Sequence, residues 1–348
     1  MPNKNEKTKS EKEKKKTKLD KKNNKTKNEK ANNKTKSEEE LKIELDAKYS
    51  KYIKYVAIAI VVLVLITVIA VLNINRNKNI NKDDGITKIV TSFYPMYIIA
   101  ENLLDGASNV ELTNMADVNV GCLHDYTLKT EDIKKVENAD IFISNGLGME
   151  SFISKLIEAN QDMDVIDSSA KIENPILDED ETNPHIWTSI DNYLKQVQTV
   201  AIELKRLDPG NEAIYEANRR AYITKLNRLK NEFKNQLEYL KDDRAICLNE
   251  AFEYMGRDIG LQLTSIQTDH EESTMSAETL RNIIDMANTQ DIKIIIIDKN
   301  DNRANAETIA NETNAEIYAL NSGLTGSLDK DAYINAMKEN IEILKGVN

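Results

Sequence analysis

Only three histidines occur in 348 residues, and their surroundings narrow the chemistry available to the chain. His124 lies in "GCLHDYTLKTEDIKK", a polar turn behind a cysteine, where it packs no obvious core. His185 lies in "NPHIWTS" and His270 in "TDHEEST". A neutral imidazole suits zinc, copper or manganese, but two imidazoles alone hold a metal weakly. His270, beside Glu271 and Glu272, reads as a solvated loop residue. The two cysteines, Cys122 and Cys247, make no disulfide framework. Each could be a thiolate ligand, half of a disulfide between two lobes, or a small buried hydrophobe, and they read as free thiols. The glycines of "NGLGME" lack the spacing of a nucleotide motif, so they read as a tight turn.

The elements that must position these residues alternate. Strand-type runs "KIVTSF", "VELTNM", "DIFISN" and "DVIDS" are separated by helical patterns. After Lys241 the pattern repeats with "AICLN", "LTSIQ", "IKIIIID" and "AEIYAL". Such alternation predicts an α/β fold with two lobes, each a mostly parallel four-stranded sheet. Between the runs, Thr188 with Asp191 predicts an N-cap opening a helix that stops at Pro209-Gly210. A second helix is predicted from Glu212 to Leu240. Its apolar residues Tyr215, Tyr222, Leu226, Leu229, Phe233, Leu237 and Leu240 fall on one helical face. At 1.5 Å per residue it spans roughly 40 Å, enough to join two lobes, although a coiled-coil partner is the rival use of the stripe. In open α/β sheets, ligands bind beyond the carboxyl ends of the strands. His124 follows the second strand by a short loop and His185 precedes the capped helix, so both fit a metal site there.

The N-terminal part differs in kind. Residues 1–48 hold 17 lysines against 10 acidic residues, a net of +7, which leaves −18 for the rest of a chain of net charge −11. A Lys/Asn/Glu-rich segment with so few apolar side chains cannot offset its chain entropy, so residues 1–50 are expected to be a disordered tail. Interspersed glutamates and the lack of arginine and aromatics speak against nucleic-acid binding. Tyr55 to Asn75 carries no charge until Arg76 and matches the ~20 residues of a membrane-crossing helix. Residues 51–75 are therefore expected to be a single transmembrane signal anchor, with the lysine side in the cytoplasm and the C-terminal part outside. The expected units are then 86–210, an α/β lobe; 211–240, a linking helix; and 241–348, a second α/β lobe.

From about Thr87 to Asn348 the chain resembles the solute-binding proteins of zinc and manganese ABC importers. The resemblance rests on "TSFYPMYIIAENL", "LHDYTLKTEDIKKVENADIFISNGLGME", "NPHIWTSIDNY", "LDPGNEAIYEANRRAYITKL" and "NEAFEYMGRDIGL", in that order. It implies two α/β lobes rigidly joined by one long helix, with Zn2+ or Mn2+ held in the cleft as the transported ligand. It further implies that His124 and His185 are the first two metal ligands. The third position, normally His or Glu, is Asn249 here, with Glu250 beside it. The fourth, normally Asp, is Asn321. Both are neutral amide oxygen donors, so weaker zinc binding is expected unless Glu250 turns in. Asp298, ending "IIIID", is expected to be a structural end-of-strand residue.

The resemblance implies a monomeric, membrane-anchored, extracytoplasmic receptor that delivers metal to an ABC importer permease and catalyses nothing. A metallohydrolase would also use two histidines and a carboxylate, but it needs a positioned general base that the sequence does not offer. The alternative reading is a degenerate member with weak or no metal binding, serving as an adhesin or sensor.

Overall fold

A computed structural model describes residues 42–43, 49–51, 53–64, 85–118, 120, 122–123, 126–178, 181–266 and 275–347. All eight expected strands form. β1 (Thr87–Thr91), β2 (Val110–Asn114), β3 (Ile141–Ser144) and β4 (Asp164–Asp167) make a sheet in the order β2-β1-β3-β4, every pairing parallel. β5 (Leu177–Asp178) and β6 (Glu181–Thr182) form a two-stranded antiparallel pair shortly before His185. β7 (Arg244–Cys247), β8 (Gln262–Ser265), β9 (Ile294–Asp298) and β10 (Glu316–Leu320) make the second parallel sheet, in the order β10-β9-β7-β8. Counted from its first strand, each sheet has the same topology. In each, the strand order reverses beside that first strand, which puts the binding crevice beyond its carboxyl end.

Burial explains the apolar runs. Along β9, Ile294 and Ile296 enter one core cluster while Ile295 and Ile297 enter another. A strand covered on both faces has no polar face, which is why "IIIID" reads as continuous hydrophobicity. The helices are α1 (Tyr94–Leu103), α2 (Thr130–Val136), α3 (Ile153–Ala159), α4 (Ile190–Leu207), α5 (Glu212–Leu237), α6 (Glu253–Ile259), α7 (Ala277–Gln290), α8 (Ala304–Asn311) and α9 (Ala332–Leu344). α5 runs for 26 residues and passes into a 3-10 turn over Glu238–Leu240. Its whole predicted stripe, Tyr215 to Leu240, is buried. That face packs on α1 and α4 from the first sheet's side and on α6 and α9 from the second's, so the stripe is used within the chain.

Two details differ from the sequence reading. Thr188 does not cap α4; Ser189 does, its Oγ accepting from the Asn192 N–H at 3.1 Å. A 3-10 turn over Ile186–Thr188 comes first, and the Thr188 hydroxyl donates back to the His185 carbonyl at 2.9 Å. α4 does end at Pro209, which opens a short 3-10 turn.

Residues 79–348 cluster as one unit, separate from residues 1–78. Within residues 1–78, residues 53–64 are helical and their apolar side chains are exposed. Among the described residues no helix is long and apolar enough to cross a membrane. The rest of the uncharged run and nearly all of the lysine-rich tail lie outside the described residues, as do His124 and the whole of residues 267–274 with His270.

Candidate metal-binding cleft

The loop from Asn183 to Ser189 lies where the two sheets' halves meet, and side chains from both hold it. Trp187 is fully buried, edge-on to Phe93 with ring centroids 5.2 Å apart. Its indole N–H donates to the Ser322 carbonyl at 2.8 Å, and its own carbonyl accepts from the Tyr333 hydroxyl at 2.9 Å. The Asn145 amide donates to the Pro184 carbonyl at 2.9 Å. His185 is therefore fixed through its neighbours before any contact of its own is counted.

His185 is 3 % exposed, and its hydrogen-bond partners bear on its tautomer. The side-chain amide of Asn183 donates to the Glu250 carbonyl at 3.1 Å and to Glu253 Oε2 at 2.9 Å. Its amide oxygen must then face His185, where it lies 2.9 Å from both the backbone nitrogen and Nδ1. A carbonyl oxygen only accepts, so in the neutral ring Nδ1 carries the proton and Nε2 keeps its lone pair. Glu250 Oε1 is 3.6 Å from the same Nδ1. At the opposite edge of the ring, Nε2 lies 3.2 Å from Cys122 Sγ, and Met149 Sδ is 3.9 Å beyond that sulfur. Metal-ligating histidines usually donate their other ring N–H to an oxygen in this way. Asn183 is the residue that sequence reasoning missed. Its signal was present in "NPH", but its partners Glu250 and Glu253 come from about 70 residues away.

The structure thus brings His185 and Glu250 together, with Glu250 at the Nδ1 edge. Asn249 N-caps the turn before α6: its oxygen accepts from the Ala251 N–H at 3.0 Å, while its amide donates to Asp301 Oδ2 at 2.9 Å. Asn321 is buried, its oxygen accepting from the Gly323 N–H at 3.0 Å and its amide donating to Glu339 Oε2 at 2.7 Å. Burial pushes the Glu339 carboxyl up, but hydrogen bonds from Asn321 and Lys299 outweigh it and hold the group below its ordinary value. Asp298 accepts from the backbone of Asn300 at 2.7 Å and of Ser322 at 3.1 Å, tying the end of β9 to the segment after β10. Among the described residues no cluster of three or more His, Cys, Asp or Glu side chains has the arrangement of a metal site.

The remaining candidates resolve simply. The backbone N–H groups of Asn145 and Gly146, which a phosphate would need, donate to the chain's own buried Glu150 at 2.7 and 3.1 Å. Gly146 has φ +86°, and a Cβ there would lie 2.0 Å from Asp167 Oδ1, so the turn demands glycine. Cys122 and Cys247 are not bridged to each other. Cys247 is fully buried and donates to the Asn249 carbonyl at 3.0 Å; burial pushes its thiol up to about 12.

Two parallel sheets spanned by one helix are the architecture shared with solved solute-binding proteins. The solute-binding protein FpvC of Pseudomonas aeruginosa with Ni2+ superposes with a TM-score of 0.67 at 27% identity, over 75% of this chain and 96% of that one. A crystal structure of ZnuA gives a TM-score of 0.65 at 28% identity, over 76% and 100%. The manganese-binding lipoprotein MntA of Halalkalibacterium halodurans is 30% identical over 73% of this chain and 86% of its own length. The high-affinity zinc uptake system protein ZnuA of Bacillus subtilis is 26% identical over 74% and 86%. Residues 89–347 match the family described as ZnuA, zinc-uptake complex component A periplasmic, and the chain belongs to that family.

Proposed function

We propose that this protein is an extracytoplasmic receptor that captures zinc or manganese and hands it to an ABC importer permease. The carrying observation is His185: buried, held by Asn183 through Nδ1, and offering the Nε2 lone pair. His124 is proposed as the second imidazole. Asn249, Glu250 and Asn321 are proposed as the donors from the second sheet's side, with Glu250 supplying the anion after a side-chain rotation. On this reading residues 86–210 and 241–348 are two lobes and residues 211–240 the rigid link. Cargo with no covalent change needs binding and release only, so no catalytic group is required.

We further propose that residues 51–75 anchor the receptor, with the lysine-rich tail in the cytoplasm and both lobes outside. Protease added to wall-less cells should then trim the C-terminal part and spare a tagged N-terminus; the reverse pattern overturns the topology.

Metal binding is tested on the full chain in detergent by titration with zinc and with manganese. A ligand that binds only the folded state raises the unfolding temperature by mass action. The imidazole of His185 lies 5.2 Å from the ring of Trp187, the only tryptophan, so its emission reports occupancy directly. A thermal shift with an emission change supports the receptor. Neither response at millimolar metal supports the degenerate, adhesin or sensor reading, which the engagement of Asn249 and Asn321 by Asp301 and Glu339 favours.

A further inference from the structure

We propose that Cys122 supplies a sulfur ligand beside His185, so that the cleft selects zinc over manganese. This inference rests on the receptor reading above and assigns the cargo within it. The two cysteines sit in different surroundings. Cys247 is fully buried at the end of β7 and spends its S–H on a backbone carbonyl. Cys122 is half-buried, and its sulfur faces the one imidazole nitrogen that retains a lone pair. Its backbone is fixed by the fully buried Leu123 on one side of it.

The separation fits a shared ion. Zinc bonds to thiolate sulfur at about 2.3 Å and to imidazole nitrogen at about 2.0–2.1 Å, and at a tetrahedral angle the two donor atoms stand about 3.6 Å apart. The observed Sγ–Nε2 distance is 3.2 Å. Opening the pair by about 0.4 Å, a small side-chain rotation, admits the ion between them. The thiol proton leaves to solvent as the metal binds. A thiolate also supplies what the asparagines cannot: Asn249 and Asn321 are neutral oxygen donors, whereas sulfur brings a negative charge and softness. Zinc accepts such a ligand readily; manganese, which prefers carboxylate, carbonyl and water, gains much less from it.

X-ray absorption at the zinc edge of the zinc-loaded full chain decides the matter. The expected result is a sulfur shell at about 2.3 Å, lost in Cys122→Ser and kept in Cys247→Ser, with zinc affinity falling further than manganese affinity in Cys122→Ser. Zinc bound through nitrogen and oxygen alone, or a sulfur shell that survives Cys122→Ser, overturns the proposal and leaves the receptor reading intact. Absence of zinc binding with manganese still bound overturns this proposal alone, and absence of binding of either metal overturns the receptor reading as well. Should Cys122→Ser fail to fold, cobalt substitution of the wild-type chain serves instead: a near-ultraviolet thiolate-to-cobalt charge-transfer band is expected, and cobalt binding without that band overturns the proposal.

Discussion

Asn183→Ala tests whether one amide both ties the two sides of the cleft together and orients His185, the proposed metal ligand. The substitution removes two hydrogen bonds that His185 donates to Asn183 Oδ1 and two that the amide donates to the Glu250 carbonyl and to Glu253 Oε2. Neutral bonds are worth about 0.5–1.5 kcal/mol each and the one to a carboxylate about 1.5–3, while stranding the buried His185 donors costs about 1–3 more. Glu250 Oε1, at 3.6 Å from Nδ1, takes over part of that lost bonding. The terms are not additive, and a net loss of about 2–4 kcal/mol is expected. For a unit of this size that is a fall in Tm of roughly 5–12 °C, read by thermal unfolding without metal. Zinc affinity should fall about 10–100-fold, as it does when a group orienting a ligand histidine is removed. Asn183→Asp separates the two roles. It keeps an acceptor for Nδ1–H, so zinc affinity should hold, but it sets a carboxylate against Glu253 and should cost stability at neutral pH. A stability change below about 0.5 kcal/mol in the alanine variant, or an alanine variant that binds zinc as tightly as the parent, refutes the reasoning.

Two further expectations follow from named contacts. Burial of the Asp258 carboxyl, partly offset by the Ser189 hydroxyl that donates to it at 2.6 Å, pushes it up to about 6. The folded state therefore favours the protonated acid, and that contribution is full below the ordinary carboxylate range and lost as pH rises through about 6. The shift corresponds to about 3 kcal/mol at most; Asp258 is half-buried, and solvent screening reduces the effect to about 1–2 kcal/mol. Asp258→Asn should flatten urea-unfolding stability between pH 4 and 7 and be no less stable than the parent at pH 7.5; an unchanged pH slope contradicts this. The double change Asn249→His with Asn321→Asp should tighten zinc binding roughly a hundredfold, because imidazole and carboxylate replace two neutral oxygens. It should also destabilise the metal-free protein by about 1 kcal/mol or more, through loss of the Asn249 cap and a new carboxylate facing Glu339. Calorimetry with and without zinc reads both, and zinc affinity equal to the parent's means these positions do not face the histidines.

Much of the fold was legible because its signals are local and periodic. The eight strands of the two four-stranded sheets fall on the runs read as strands, and the α5 stripe from Tyr215 to Leu240 is buried as its helical spacing required. The scarcity of histidine likewise singled out His185, and the ordered motifs pointed to the family. What the linear sequence could not decide was partnership. Ser189 rather than Thr188 caps α4 because a 3-10 turn, itself held by tertiary contacts of Trp187, takes up the preceding residues. The lone pair of His185 lies on Nε2 because Asn183 is locked by groups from residues 250 and 253. The sulfur it faces comes from Cys122, 63 positions earlier. Periodicity records which side of an element is buried, since burial recurs with every turn or pleat. A hydrogen-bond partner is chosen once, by the distance and direction that distant segments acquire only when they pack, and it leaves no repeat for the sequence to show.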